Sequence, residues 1–82
     1  MKLVNIGFGN LVNADRVISV VSPESAPVKR LVAQCKERST LIDATQGRKT
    51  KSVIMMDSDH LVLSYLTTEV IMSRFSETQE EK

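Results

Sequence analysis

Residues 51–66 read KSVIMMDSDHLVLSYL, two apolar runs separated by the three small polar residues Asp57, Ser58 and Asp59. Asp and Ser bond readily to nearby backbone, so DSD reads as a tight turn. The flanking runs, KSVIMM and HLVLSYL, are rich in residues that suit strands, and together they predict a hairpin. Val53-Ile54-Met55-Met56 is apolar without alternation. A half-exposed strand alternates, so this run predicts a strand covered on both faces. One cover is expected to be a helix of the same chain and the other a partner subunit.

The helix is found upstream. SPESAP (22–27) offers two starts. With Ser22 as the cap, Pro27 would fall at the fifth helical position and delete a hydrogen bond. With Ser25 as the cap, Pro27 falls at the second position, where its missing N–H has no intrahelical partner. Ser25 is the better cap. Val28, Leu31, Val32 and Cys35 then form one apolar stripe at i, i+3, i+4 and i+7. The helix is expected to end near Arg38 to Ser39.

Residues 3–6, LVNI, read as a strand and GFGN as a bend. LVNAD leads into a strand over Arg16–Ser22, and Leu41–Thr45 is a further short strand. Thr67 or Thr68 caps a second, short helix with Val70, Ile71 and Phe75 on one side. Short connections between strands predict an α+β domain: a small, mostly antiparallel sheet, one main amphipathic helix and a short C-terminal helix. The expected organisation is a single domain over 1–76 and a disordered acidic tail over 77–82.

At 82 residues the chain forms one small domain, and domains of this size often gain stability by oligomerising. One cysteine rules out an intrachain disulfide and a Cys-rich metal site, and fits a reducing compartment. No apolar run is long enough to span a membrane, and the N-terminus lacks signal-peptide character. The expectation is a cytoplasmic protein. Net charge is only +1, but residues 29–51 hold seven bases (Lys29, Arg30, Lys36, Arg38, Arg48, Lys49, Lys51) against Glu37 and Asp43. Such asymmetry points toward a polyanionic partner.

Four features could carry chemistry. Ile6-Gly7-Phe8-Gly9 invites a dinucleotide-loop reading, but Val12 stands where the third glycine belongs, and a strand follows rather than a helix. Asp57, Asp59 and His60 form a carboxylate–imidazole group that reads more simply as hairpin turn and strand start. Cys35 lies on the helical stripe and reads as a buried thiol. The basic turn TQGRKTK (45–51) remains. Gly47 lets the chain reverse, and Arg48, Lys49 and Lys51 then project outward toward phosphates. Phe8, Tyr65 and Phe75 are scattered, which argues against a stacking platform for single strands.

Taken together, NIGFGN (5–10), SPESAPVKR (22–30), LIDATQGRKTK (41–51) and MDSDHLVLS (56–64) resemble the RemA family, the bacterial extracellular-matrix regulatory proteins, from Leu3 to Arg74. The resemblance implies a DNA-binding transcriptional regulator rather than an enzyme, with no cofactor, metal or small-molecule substrate. It implies a nucleoid-associated protein whose copies close into rings, octameric in expectation, with double-stranded DNA following a basic outer edge. In relatives the genes activated are those of the biofilm matrix. The family's DNA contacts carry over onto Arg16, Arg48 and Lys49, with Lys51 assisting. Pro27 matches a sensitive position, where a structural role at the helix start is expected. Two departures stand out. Lys49 and Lys51 replace arginines, which keeps charge but loses bidentate phosphate geometry. Gln46 stands where an aromatic residue is common. The alternative reading is a protein-interaction ring without direct DNA binding, its interface formed by the apolar KSVIMM strand. A small metal-dependent enzyme around Asp57, Asp59 and His60 is a third.

Overall fold

The computed structural model describes the backbone of residues 1–80 and the side chains of residues 1–77. Of the acidic tail expected over 77–82 to be disordered, residues 77–80 continue the last helix and 81–82 lie outside the described residues. The elements run β1 (Leu3–Asn5), β2 (Leu11–Asn13), β3 (Val17–Val21), α1 (Ala26–Glu37), β4 (Leu41–Asp43), β5 (Ser52–Met56), β6 (Leu61–Ser64) and α2 (Thr68–Glu80), with one 3-10 turn over Ala14–Arg16.

The expected hairpin is present: β5 and β6 pair antiparallel, Ser52 opposite Ser64 and Met55 opposite Leu61. They form the centre of a four-stranded sheet ordered β3-β5-β6-β4. β3 pairs antiparallel with β5, whereas β4 pairs parallel with β6. The sheet is thus mixed. The parallel pair escapes a reading based on short connections because its cause is α1. The helix carries the chain across one face from the β3 edge to the β4 edge, and such a crossover delivers strands running the same way.

Alternate residues of β5 enter two separate cores. Val53 and Met55 join Leu61, Leu63 and the α1 stripe of Val28, Leu31, Val32 and Cys35. Ile54 and Met56 join Val62, Val4, Ile6, Val12 and Ile71 on the opposite face. Both faces of the run are covered, as its lack of alternation requires. The second cover is this chain's own N-terminal hairpin and α2, not a partner subunit. Val53 and Ile54 have no exposed surface, so the centre of KSVIMM is core, whereas Lys51 is exposed and Met55 and Met56 are half-buried.

Local signals account for the helix ends. The Ser25 Oγ accepts the Val28 N–H at 3.4 Å, with Pro27 in the first turn. At the other end Ser39 adopts φ 61, and the Thr40 N–H reaches the Cys35 carbonyl at 2.9 Å, which ends α1 in a Schellman arrangement. Thr67 is the residue that caps α2, accepting the Val70 N–H at 3.3 Å. That helix, expected to be short, has 13 residues against 12 in α1. Ile71 and Phe75 face the core, whereas Val70 is turned to solvent.

The main departure is β2. Leu11–Asn13 pairs with β1 as a separate two-stranded hairpin. Three residues are too few to show alternation, and the run merges into the following β-branched strand when read from sequence. The hairpin still sits where the site requires it, with its Gly7–Asn10 tip against Tyr65.

Candidate nucleic-acid interface

Two turns meet at Tyr65, and they share one plan. In the first, the Asn5 Oδ1 accepts the Gly7 N–H at 2.7 Å and the Asn10 N–H closes onto the Gly7 carbonyl at 2.9 Å. In the second, the Asp43 Oδ1 accepts the Thr45 N–H at 2.9 Å and the Arg48 N–H closes onto the Thr45 carbonyl at 3.0 Å. The central pairs are left-handed in both: Phe8 and Gly9 at φ 55 and 76, Gln46 and Gly47 at φ 55 and 84. Positive φ at both central residues is the signature of a type I′ turn. The segments LVNIGFGN (3–10) and LIDATQGR (41–48) align position by position, with Asn or Asp third and the left-handed glycine seventh. Ile6 and Ala44, the fourth residue of each, are both buried in the same core.

The second turn displays the cations. Gln46, Gly47, Arg48 and Lys49 are all exposed, as is Lys51. The Lys51 N–H bonds the Ser64 carbonyl at 2.9 Å, which fixes where the turn rejoins the sheet. Among the described residues no acid forms an ion pair with Arg48, Lys49 or Lys51. Their charge faces solvent uncompensated by a direct partner. The Asp43 carboxylate is held below the usual carboxylate range by the Thr45 Oγ1–H and then the Thr45 N–H. It acts as the internal acceptor of the turn.

Tyr65 connects the two turns. Its ring centroid lies 4.8 Å from that of Phe8 at 36°, and the Arg48 guanidinium carbon lies 5.8 Å from the same ring. Phe8 itself is 47% exposed. Neither aromatic is identified from sequence, where Phe8 and Tyr65 read as scattered. The available signal was the parallel between residues 3–10 and 41–48, which predicts two tips of like geometry.

Arg16 is held elsewhere. It precedes β3 and pairs with Asp57, Nη1 to Oδ2 at 2.9 Å. The carboxylate stabilises the guanidinium and raises its pKa through the hydrogen bond and then the charge. Asp57 follows β5 and Lys51 precedes it, so within one protomer the strand separates Arg16 from the basic turn by roughly 20 Å. The expected contacts thus divide into a cluster (Arg48, Lys49, Lys51) and an outlying, paired arginine.

The other candidates take structural parts. His60 Nδ1 meets the Ser58 Oγ at 2.8 Å across the hairpin turn. Among the described residues no three His, Cys, Asp or Glu side chains come together as a metal site. Cys35 is buried on the inner face of α1. No described helix is long and apolar enough to cross a membrane.

The model of a family described as extracellular matrix regulatory protein A-like matches residues 3–75. The chain belongs to the RemA-like family. Among its RemA-like relatives, the extracellular matrix regulatory protein A of Bacillus subtilis is 52% identical over 98% of this chain and 90% of its own length. A protein of Carboxydothermus hydrogenoformans named as regulatory is 53% identical over 99% of this chain and 95% of that protein. One from Acaryochloris marina, also named as regulatory, is 52% identical over the whole chain and 93% of its own length. The RemA-like match spans both turns and Tyr65.

Proposed function

We propose that this protein is a non-enzymatic regulator that binds double-stranded DNA through the basic turn, repeated around a ring-shaped homo-oligomer. The observation that carries the reading is the left-handed turn of Thr45 to Arg48, which displays Arg48, Lys49 and Lys51 without an ion-pairing acid. The regulatory names of the relatives agree with it. Backbone phosphates are the natural target, because the cations stand on a turn rather than on a helix that could enter the major groove. Specificity then rests on DNA shape and bendability. Arg16 acts as a second, outlying contact once it exchanges Asp57 for phosphate.

One turn neutralises few phosphates, so repetition is part of the mechanism. Ring closure raises the effective concentration of each successive turn and makes weak contacts avid. The two edges of the sheet support such an assembly. Ile18 is 67% exposed at the bulge in β3, and Ile42 is 50% exposed on β4 at the other edge. Beside Ile42, Leu11 and Met56 contribute to an open apolar groove of about 340 Å³. The two edges differ, which suits head-to-tail contact between copies. Head-to-tail contact closes into a ring when the rotation permits. An octamer is the number the family resemblance implies. A protein-interaction ring without DNA would draw its interface from the same edges rather than from the buried centre of KSVIMM.

A salt titration of duplex-DNA binding by fluorescence anisotropy tests the reading. Arg48→Ala with Lys49→Ala is expected to lower affinity and to flatten the log–log salt slope by about 1.8 per protomer engaged. Unchanged affinity and slope would remove the turn from the DNA contact. Sedimentation of the DNA-free protein reads assembly separately, and a monomer at micromolar concentration would overturn the ring.

A further inference from the structure

We infer that Tyr65 is a positioning residue for Arg48, holding its guanidinium over the aromatic face at the angle from which it meets DNA. The inference rests on the DNA-binding reading of the basic turn and goes one layer beneath it. Arg48 is exposed and forms no ion pair among the described residues. A free arginine on a turn samples many rotamers and must surrender them on binding. The Tyr65 ring, 5.8 Å from the guanidinium carbon, lies within the range of a cation–π contact. That contact leaves the edge N–H groups of the guanidinium available for phosphate, which a carboxylate partner would occupy.

Tyr65 is itself held in place. It directly follows β6, whose Ser64 hydroxyl donates to the Ile6 carbonyl at 2.8 Å and accepts the Leu66 N–H at 3.1 Å. Phe8 packs against the ring at 4.8 Å. Gly7 lies so close to the ring that a Cβ there would overlap it. The first turn therefore acts as a clamp on the platform, and the second turn lays Arg48 on it. This gives the GFG tip a part in the site although it carries no charge.

The test is a double-mutant cycle on DNA affinity, using the full chain in its native assembly. Tyr65→Leu is expected to weaken duplex binding about threefold per protomer engaged, from the loss of an exposed cation–π contact. Tyr65→Phe keeps the ring and is expected to bind as the wild type does. In the Arg48→Ala background Tyr65→Leu is expected to add no further loss, whereas general loosening of the domain would weaken binding in both backgrounds. An undiminished affinity in Tyr65→Leu, or an equal loss with and without Arg48, would overturn the inference. Unchanged binding by Arg48→Ala would instead sink the DNA role of the turn. Tyr65 is the sole tyrosine and there is no tryptophan, so its emission gives a DNA-free reading even if Tyr65→Leu does not fold. Acrylamide is expected to quench Arg48→Ala more strongly than the wild type, and equal quenching would show that no stack forms.

Discussion

The turns at Gly7–Asn10 and Thr45–Arg48 follow the same backbone path and are stabilised in different ways. The first adds packing to its hydrogen bonds, which run from the Gly7 N–H to Asn5 and from Asn10 to the Gly7 carbonyl. Gly7 lies under the Tyr65 ring, and Phe8 covers that ring from the side. The second has the equivalent turn bonds and, in place of that packing, an additional one from a side-chain hydroxyl. Thr45, where the first turn has Gly7, is buried, and its Oγ1–H and N–H both donate to the Asp43 Oδ1 at 2.6 and 2.9 Å. An aromatic clamp spends the turn's displayed side chain on the protein itself. A backbone-and-carboxylate clamp leaves its displayed cations without an ion-pairing acid among the described residues, with Arg48 resting on the Tyr65 ring. Arg48, Lys49 and Lys51 stand on or just after the turn built in the second way.

The largest break in this comparison is expected from Gly7→Ala. Its φ of 114 strains any L-residue, and the new methyl would enter space the Tyr65 ring occupies. Strain and overpacking together are expected to cost about 3 kcal/mol, read from a urea melt. Gly47→Ala is the control. Its φ is 84, but nothing lies near the added methyl, so only the backbone term of about 1 kcal/mol is expected. Equal losses at the two glycines would show that packing is not what distinguishes the turns.

A middle-sized effect is expected from Asp43→Ala, which removes two local hydrogen bonds at a cost of about 1 kcal/mol. This effect depends on pH. The folded-state pKa of Asp43 is depressed, so its contribution is fully present above the ordinary carboxylate pKa. It disappears as pH falls through the lower, folded value. The stability difference between wild type and Asp43→Ala is therefore expected to be constant near neutrality and to shrink in the acid limb. A difference that persists at the lowest pH would mean that the carboxylate is not the acceptor that matters.

The smallest effect sharpens the comparison in the stabilising direction. Gln46 occupies a left-handed position that asparagine tolerates better. Gln46→Asn is expected to raise stability by roughly 0.5 kcal/mol, measured by thermal melting with DNA affinity read in parallel. A loss of stability would indicate that the Gln46 side chain has a part beyond filling the turn.

Much of this could be read from residue order alone. Contiguous apolar character in Val53–Met56 required two covered faces, because a strand exposing one face would alternate. Pro27 selected Ser25 over Ser22 as the cap of α1, because proline lacks the N–H an interior position uses. The stripe of Val28, Leu31, Val32 and Cys35 named the buried side of that helix. Gly47 and its neighbours located the basic turn, since a chain reversal with cations beside it is a local property. The family resemblance also followed from local runs in order.

What covers the second face of β5, which way β4 runs, and what lies beneath Arg48 were decided only in three dimensions. Val4, Ile6 and Ile71 reach Ile54 from opposite ends of the chain. Hydrophobic burial has no preference for a partner's origin, so the pattern that demanded a cover could not name it. β4 runs parallel to β6 because α1 spans the sheet, a matter of where the helix lands rather than of its own residues. Phe8, Arg48 and Tyr65 are far apart in sequence, and only the hairpin, the basic turn and the end of β6 bring them together. Arg16 and Arg48 carry the same charge, yet one is paired to Asp57 and the other lies over a ring. Side-chain chemistry is written in the sequence, whereas the partner that directs it depends on which elements pack together.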